Sequence, residues 1–272
     1  MEGLAVAPDD VELLSLAGRS GVELGSADAI DLLRRVVELR PDADAWRDLG
    51  DALITEGDTE AAHEAFGKVL ELSPDDEQAL TGLGHLAYAT GDREDAVSLL
   101  SRAAELGSRA SSAVISLVDM YRTLGQNDEA LAAAQRLAEA APDDVIARLD
   151  VAELSLAVGK LDEAAQAFAR VRDLDDVPGH EIYPLHGMIE VQLHREAWEA
   201  ALTLATQATA LDARGRSAEV AAFLQAQVSG PGEQLDAPPP SRADVEAVLA
   251  ASLAEYRRLL ADDRNLGRGA PA

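Results

Sequence analysis

Apolar residues recur along this chain at helical spacing, in one block after another. Trp46, Leu49 and Leu53 share one helical face, and Phe66, Val69, Leu70 and Leu72 share the next, with a polar break between them. The blocks repeat. Gly57, Gly91, Gly125 and Gly159 follow one another at steps of 34 residues, and so do Ala62, Ala96, Ala130 and Ala164. Each anchor has its own physical reason. Glycine after the first helix permits the left-handed conformation that closes it. A small alanine early in the second helix lets two backbones approach, and Phe66, Leu100 or Phe168 four residues on fills the layer beneath. Pro74 and Pro142 then stop the second helix, because proline cannot continue its hydrogen-bond ladder. The pattern predicts pairs of helices stacked in series.

The segment AWRDLGDALITEGDTEAAHEAFGKVLELSPDD carries Trp46, Leu49, Gly50, Gly57, Ala62, Phe66 and Pro74 in an order that resembles the tetratricopeptide repeat (TPR) family. A second copy keeps Leu83, Gly84, Gly91, Ala96, Leu100 and Ala103. A third keeps Leu117, Tyr121, Gly125, Ala130 and Pro142, and a fourth keeps Gly159, Ala164 and Phe168 but has Arg148 in place of Trp46. These copies span 43–76, 77–110, 111–144 and 145–178. A fifth, divergent copy at 182–212 is set by Ala201, Ala205, Ala208 and Leu211, which lie 37 residues after the fourth, with the three extra residues in DVPGHE. The resemblance implies an all-α, right-handed superhelical solenoid of antiparallel helix pairs.

Outside the repeats, residues 1–42 read as a degenerate pair: residues 10–18 form its first helix, and Ala29, Leu33, Val36, Leu39 and Pro41 mark its second. Residues 213–228 read as a solvating cap, which stacked repeats need at their ends. SGPGEQLDAPPP, residues 229–240, reads as a linker. It leads to an amphipathic helix at 241–265, capped by Ser241 and Asp244 with a stripe of Val245, Leu249, Leu253, Tyr256 and Leu260, and then to a disordered tail at 266–272. That stripe and Arg257-Arg258 suit it to fold back on the repeats as a lid or a second cap.

Composition narrows the function. The chain has 272 residues, a net charge of −27 and no cysteine. Acid spread along the chain repels nucleic acid, and the missing cysteine excludes disulfides, thiolate nucleophiles and sulfur-bound zinc. Neither a leader-like N-terminus nor an apolar run of membrane-spanning length is present, so the expectation is a cytoplasmic protein with no membrane partner.

Motifs for chemistry are weak. His63-Glu64 starts like a zinc-protease helix but meets Gly67 where a histidine is required, and Gly82-Leu83-Gly84 lies inside a predicted helix with no strand before it. Gly18-Arg19-Ser20-Gly21 is one residue short of a nucleophile elbow. The expectation is a non-enzymatic chain with no cofactor.

The TPR resemblance implies that the first helix of each pair lines a concave groove that holds partners. In this register the groove residues are Arg47, Asp51 and Ile54; His85 and Tyr88; Ile115, Asp119 and Arg122; Leu149, Glu153 and Leu156; and Tyr183, His186, Glu190, Leu193 and His194. Some family members grip a peptide carboxylate with Lys, Asn and Arg there, but Asp51 and Asp119 replace the asparagines, so that specificity is not implied. An acidic, partly apolar groove favours a basic or amphipathic protein segment, as an adaptor or complex-assembly factor would bind. The plainer reading is that the acids only solvate the surface. His186 and His194 stand about 12 Å apart by helical rise, too far to share one ion. A metal-handling or metalloenzyme-maturation role through His85, His186, His194 and groove carboxylates is the alternative, weighed against a solvated stripe in which Glu190 pairs with both histidines. A small-ligand sensor is a third reading.

Overall fold

The computed structural model describes residues 9–107, 112–212, 214–229 and 239–265. Most of the linker expected at 229–240, the tail at 266–272 and the first eight residues lie outside them. The chain divides into two compact units, Met1–Met120 and Tyr121–Ala272. All regular structure among the described residues is α-helical. No helix there is long and apolar enough to cross a membrane.

The first unit holds α1 (Val11–Glu23), α2 (Ala29–Leu39), α3 (Ala43–Glu56), α4 (Thr59–Leu72), α5 (Glu77–Thr90) and α6 (Arg93–Leu106), and α7 (Ser112–Thr123) runs across the boundary. From α1 to α6 each helix packs on the next, and α1, α3 and α5 also touch in sequence, so first helices stack on first helices. Leu14, Leu33, Val36, Leu49, Leu53, Phe66, Val69, Leu83 and Leu86 form one buried core. α1 continues five residues past the expected 10–18 segment and packs on α2 as its pair.

The acidic composition has a local use. Asp42, Asp58, Asp76, Asp92 and Asp144 each cap a helix by accepting a hydrogen bond from a backbone N–H in its first turn, at 2.9–3.3 Å. Part of the negative charge is therefore spent on starting helices. Helix ends follow the glycine anchors: Gly57 has φ 82°, Gly57 N–H donates to Ile54 and Asp58 N–H donates to Leu53. Gly82 and Gly84 are packing residues. A Cβ on Gly82 would lie 2.7 Å from the Phe66 ring, and one on Gly84 2.7 Å from Leu100.

The second unit continues with α8 (Asn127–Ala140), α9 (Val145–Ala157), α10 (Leu161–Leu174), α11 (Ile182–His194), α12 (Trp198–Leu211), α13 (Arg216–Ser229) and α14 (Arg242–Asn265). α9 pairs with α10 and α11 with α12, while α13 packs on α12, where Phe223 meets the Trp198 ring edge-on at 6.4 Å. α14 breaks the alternation. It makes most of its contacts with α11 and fewer with α13 and α9, so it lies across first helices rather than closing a hairpin with α13.

The fifth pair closes its first helix without glycine. Glu196 takes φ 55° and repeats the Gly57 pattern, with Glu196 N–H donating to Leu193 and Ala197 N–H to Gln192. That backbone costs a non-glycine residue about 1–2 kcal/mol. Glu196→Gly should raise the melting temperature in a circular dichroism scan by about 2–4 °C, the shift expected for about 1 kcal/mol in a domain of this size. Gly187→Ala should do the reverse by about 1–3 kcal/mol, because its Cβ would overlap the Phe168 ring.

Candidate functional site

Two carboxylates three residues apart on α9, Asp150 and Glu153, project from one side of the helix. Arg122, at the end of α7, donates to Asp150 at 3.0 Å and to Glu153 at 2.8 Å. Arg257 of α14 donates to the same two groups, at 2.8 Å and 2.6 Å. Asp150 is only 6 % exposed. Burial pushes its carboxyl above the usual carboxylate range, and Arg257 and Arg122 pull it back. Burial also works against the Arg257 charge, but Glu153 and Asp150 outweigh it and hold the guanidinium firmly protonated. The cluster balances two cations against two anions.

Next to Arg257 along α14, Tyr256 meets the end of α10, the start of α11 and the connection between them. Tyr256 is fully buried and stacks on Tyr183, with ring centroids 4.9 Å apart and 8° between planes. Its hydroxyl donates to Asp175 at 2.5 Å, and the same carboxylate oxygen takes His180 Nδ1 at 2.8 Å. Ser252 Oγ lies 2.6 Å from His186 Nδ1, and Ser217 Oγ of α13 lies 2.8 Å from Nε2. Glu255 accepts from Arg216 and Arg214, and Arg216 above all holds its carboxyl below the usual range. Val245, Leu249, Leu253 and Leu260 are buried beneath the helix.

These contacts correct part of the expected groove. Tyr183 and His186 are covered by α14, and Leu149 and Leu193 are fully buried, so none of the four lines an open surface. His186 is also no solvated stripe residue and no metal ligand here, since both ring nitrogens face serine hydroxyls. The Ser217–His186–Ser252 set is itself closed, with each side chain 0–1 % exposed. His194 Nδ1 lies 3.0 Å from the Glu190 carbonyl, and Glu190 makes no pair with His186. Among the described residues no three His, Asp or Glu side chains are gathered to hold a metal.

What α14 leaves uncovered is a cavity of about 360 Å³ between its Ala250 and Leu253 and the floor formed by Glu153, Leu156, Ala157, Glu190 and His194. In the first unit, the first helices carry Ile54, Tyr88 and Ile115 at 37–43 % exposure. His85 Nε2 lies 2.7 Å from Ser116 Oγ, and Asp51 and Asp119 are exposed on the same helices. Arg47 is tied to Asp76 at 2.6 Å and to Asp44 at 2.7 Å, and with Asp48, Asp51 and Gln78 it borders a second cleft of about 360 Å³. Asp150, Asp175, Ser252 and Tyr256 were not among the expected site residues.

The fold and site define a helix-pair repeat protein whose first helices hold an amphipathic helix. Residues 13–141 match the family model of the cilia and flagella-associated protein 70 middle TPR-like domain, and residues 115–177 match a tetratricopeptide repeat model. Together they span more than half of the chain, which belongs to the tetratricopeptide repeat family. No curated protein matches it. Among solved structures it is similar to YrrB, a TPR protein with an unusual peptide-binding site, at 24 % identity and TM-score 0.58 over 68 % of this chain and 95 % of that one. It is similar also to PilF of Pseudomonas aeruginosa, at 18 % identity and TM-score 0.55 over 76 % and 94 %. A crystal structure of MamA matches at 22 % identity and TM-score 0.52 over 60 % and 91 %. At these identities the likeness is one of fold.

Burial pushes the His186 imidazole down to about 4 from its ordinary 6.5, with Asp212 opposing and Arg216 adding to the shift. The unfolded chain then takes a proton near pH 6.5 that the folded chain refuses until about pH 4. Stability is complete above pH 6.5 and falls between those values by (6.5 − 4) × 1.36, about 3 kcal/mol. His186→Asn should flatten this fall, read as the difference in melting temperature between variant and wild type at pH 7 and at pH 4.5. An unchanged difference would refute it.

Proposed function

We propose that this chain is a non-enzymatic protein-interaction module, an adaptor or complex-assembly factor, whose first-helix faces bind a basic or amphipathic partner segment. One observation carries the reading: the first helices of the second unit hold α14 through an apolar stripe and through an arginine seated on Asp150 and Glu153. That is helix-in-groove recognition made within one chain. The first unit offers matching chemistry on its own first helices, with Ile54, Tyr88 and Ile115 exposed beside Asp51. Membership of a family of helix-pair repeats, and likeness in fold to a protein with a peptide-binding site, support it.

The test uses labelled amphipathic 20-residue peptides that share leucine positions and differ in carrying arginine or glutamate on the polar face. Fluorescence anisotropy should show the arginine peptide binding to the full chain and the glutamate peptide failing. Asp51→Lys with Ile115→Ala should weaken binding tenfold or more, and raising salt should weaken it as well. Equal binding of the two peptides, or indifference to the substitutions, would remove the reading.

A further inference from the structure

α14 fits its seat incompletely. Its Arg257, Tyr256 and Ser252 are all engaged, yet the cavity beside it is walled by Glu153, Glu190 and His194 and faced from α14 only by Ala250 and Leu253. Ala250 is exposed and lies seven residues, two helical turns, before Arg257, so the two share one side of the helix. Burial pushes the Glu190 carboxyl up; His194 counters this, and Glu153 and Glu246 add to it. A cation placed there would be welcomed by two carboxylates.

We propose that the face formed by α9, α11 and α13 is the docking groove for a partner's amphipathic helix carrying a basic residue seven positions before an arginine, and that α14 is its resident stand-in. The arginine takes the place of Arg257 on Asp150 and Glu153, and the basic residue reaches Glu190 through the cavity that Ala250 leaves. Apolar side chains at the positions of Val245, Leu249, Leu253 and Tyr256 complete the stripe. This narrows the function proposed above to one groove and one pattern, and it rests on the reading of first helices as partner-binding faces.

Competition supplies the reason for the second cation. A tethered helix occupies its groove at an effective concentration of the order of millimolar. A partner at micromolar concentration must therefore bind about a thousandfold more tightly than α14 does. A charge-assisted pair at Glu190 and a filled cavity are gains that α14 forgoes. The resident helix keeps the groove covered without holding it against a better ligand.

Two peptides of residues 239–265, one native and one with Ala250→Arg, are titrated against the full chain carrying Arg257→Glu, which repels its own α14 from Asp150 and Glu153. The substituted peptide should bind at least tenfold more tightly than the native one, and adding Glu190→Gln to the chain should remove that advantage. Equal affinities, or no binding to a chain of unchanged helicity, would overturn the proposal and leave α14 as a fixed part of the fold. A second measurement covers the case in which Arg257→Glu fails to fold. Ala250→Arg in the otherwise native chain should raise the melting temperature, and Glu190→Gln should cancel the rise; no rise also overturns it. Because these readouts lie in the second unit, they fail separately from the first-unit peptide test.

Discussion

A helix pair in a stack buries its apolar face only against its neighbours, so the face made by successive first helices has no neighbour of its own. Whatever side chains it carries must be solvated, or else covered from outside. In the second unit the sequence places Tyr183, His186 and a buried Asp150 on that face, groups too apolar or too costly to leave half-wetted, and α14 covers them. The first unit places Asp51, His85 and Asp119 there among single apolar residues, a mixture that water tolerates. The difference between the two faces begins as a difference in the side chains that each unit's first helices carry there.

The cover is unusual in how much of it is polar. Desolvating a charged pair costs about as much as the pairing returns, so Arg257 on Asp150 and Glu153 adds little net stability beyond what a well-packed apolar contact would give. Removing one member is another matter, because it strands the rest. The same holds for Tyr256 on Asp175 and Ser252 on His186, where each buried polar atom needs its partner in place. The apolar stripe of Val245, Leu249, Leu253 and Leu260 supplies the attraction, and the polar partners allow one register.

The repeat was legible from sequence because its causes are local. Gly57 and Gly91 end helices by their own backbone conformation, Asp42 and Asp76 start them within one turn, and Gly82 against Phe66 spans a single neighbouring copy. The covered site was not legible because its partners are 66, 81 and 107 residues apart in His186–Ser252, Asp175–Tyr256 and Asp150–Arg257. Helical register says which way His186 points but not what arrives to meet it. Two signals were present. The three-residue insertion in DVPGHE, which holds His180, breaks the period before the fifth copy, and Asp150 stands where the second, third and fifth copies carry Gly82, Ser116 and Gly187 and the first carries Asp48. A buried acid where the adjoining copies carry small residues requires cations from elsewhere, and Arg257 joins Arg122 in supplying them.

A groove read in this way distinguishes helices by position as much as by charge. Any amphipathic helix could lay leucines along α11, but a helix shifted by one turn would bring an apolar side chain to Asp150 and leave that carboxylate without its second cation. The cost of such a mismatch, a buried charge losing a partner, is several kcal/mol and exceeds the gain from any one apolar contact. Acid spread over a surface would attract basic segments without choosing among them. Acid held at two fixed points on α9, one buried and one half-buried, with its first cation already provided from α7, accepts one arginine at one height and so converts a general attraction into a choice of sequence.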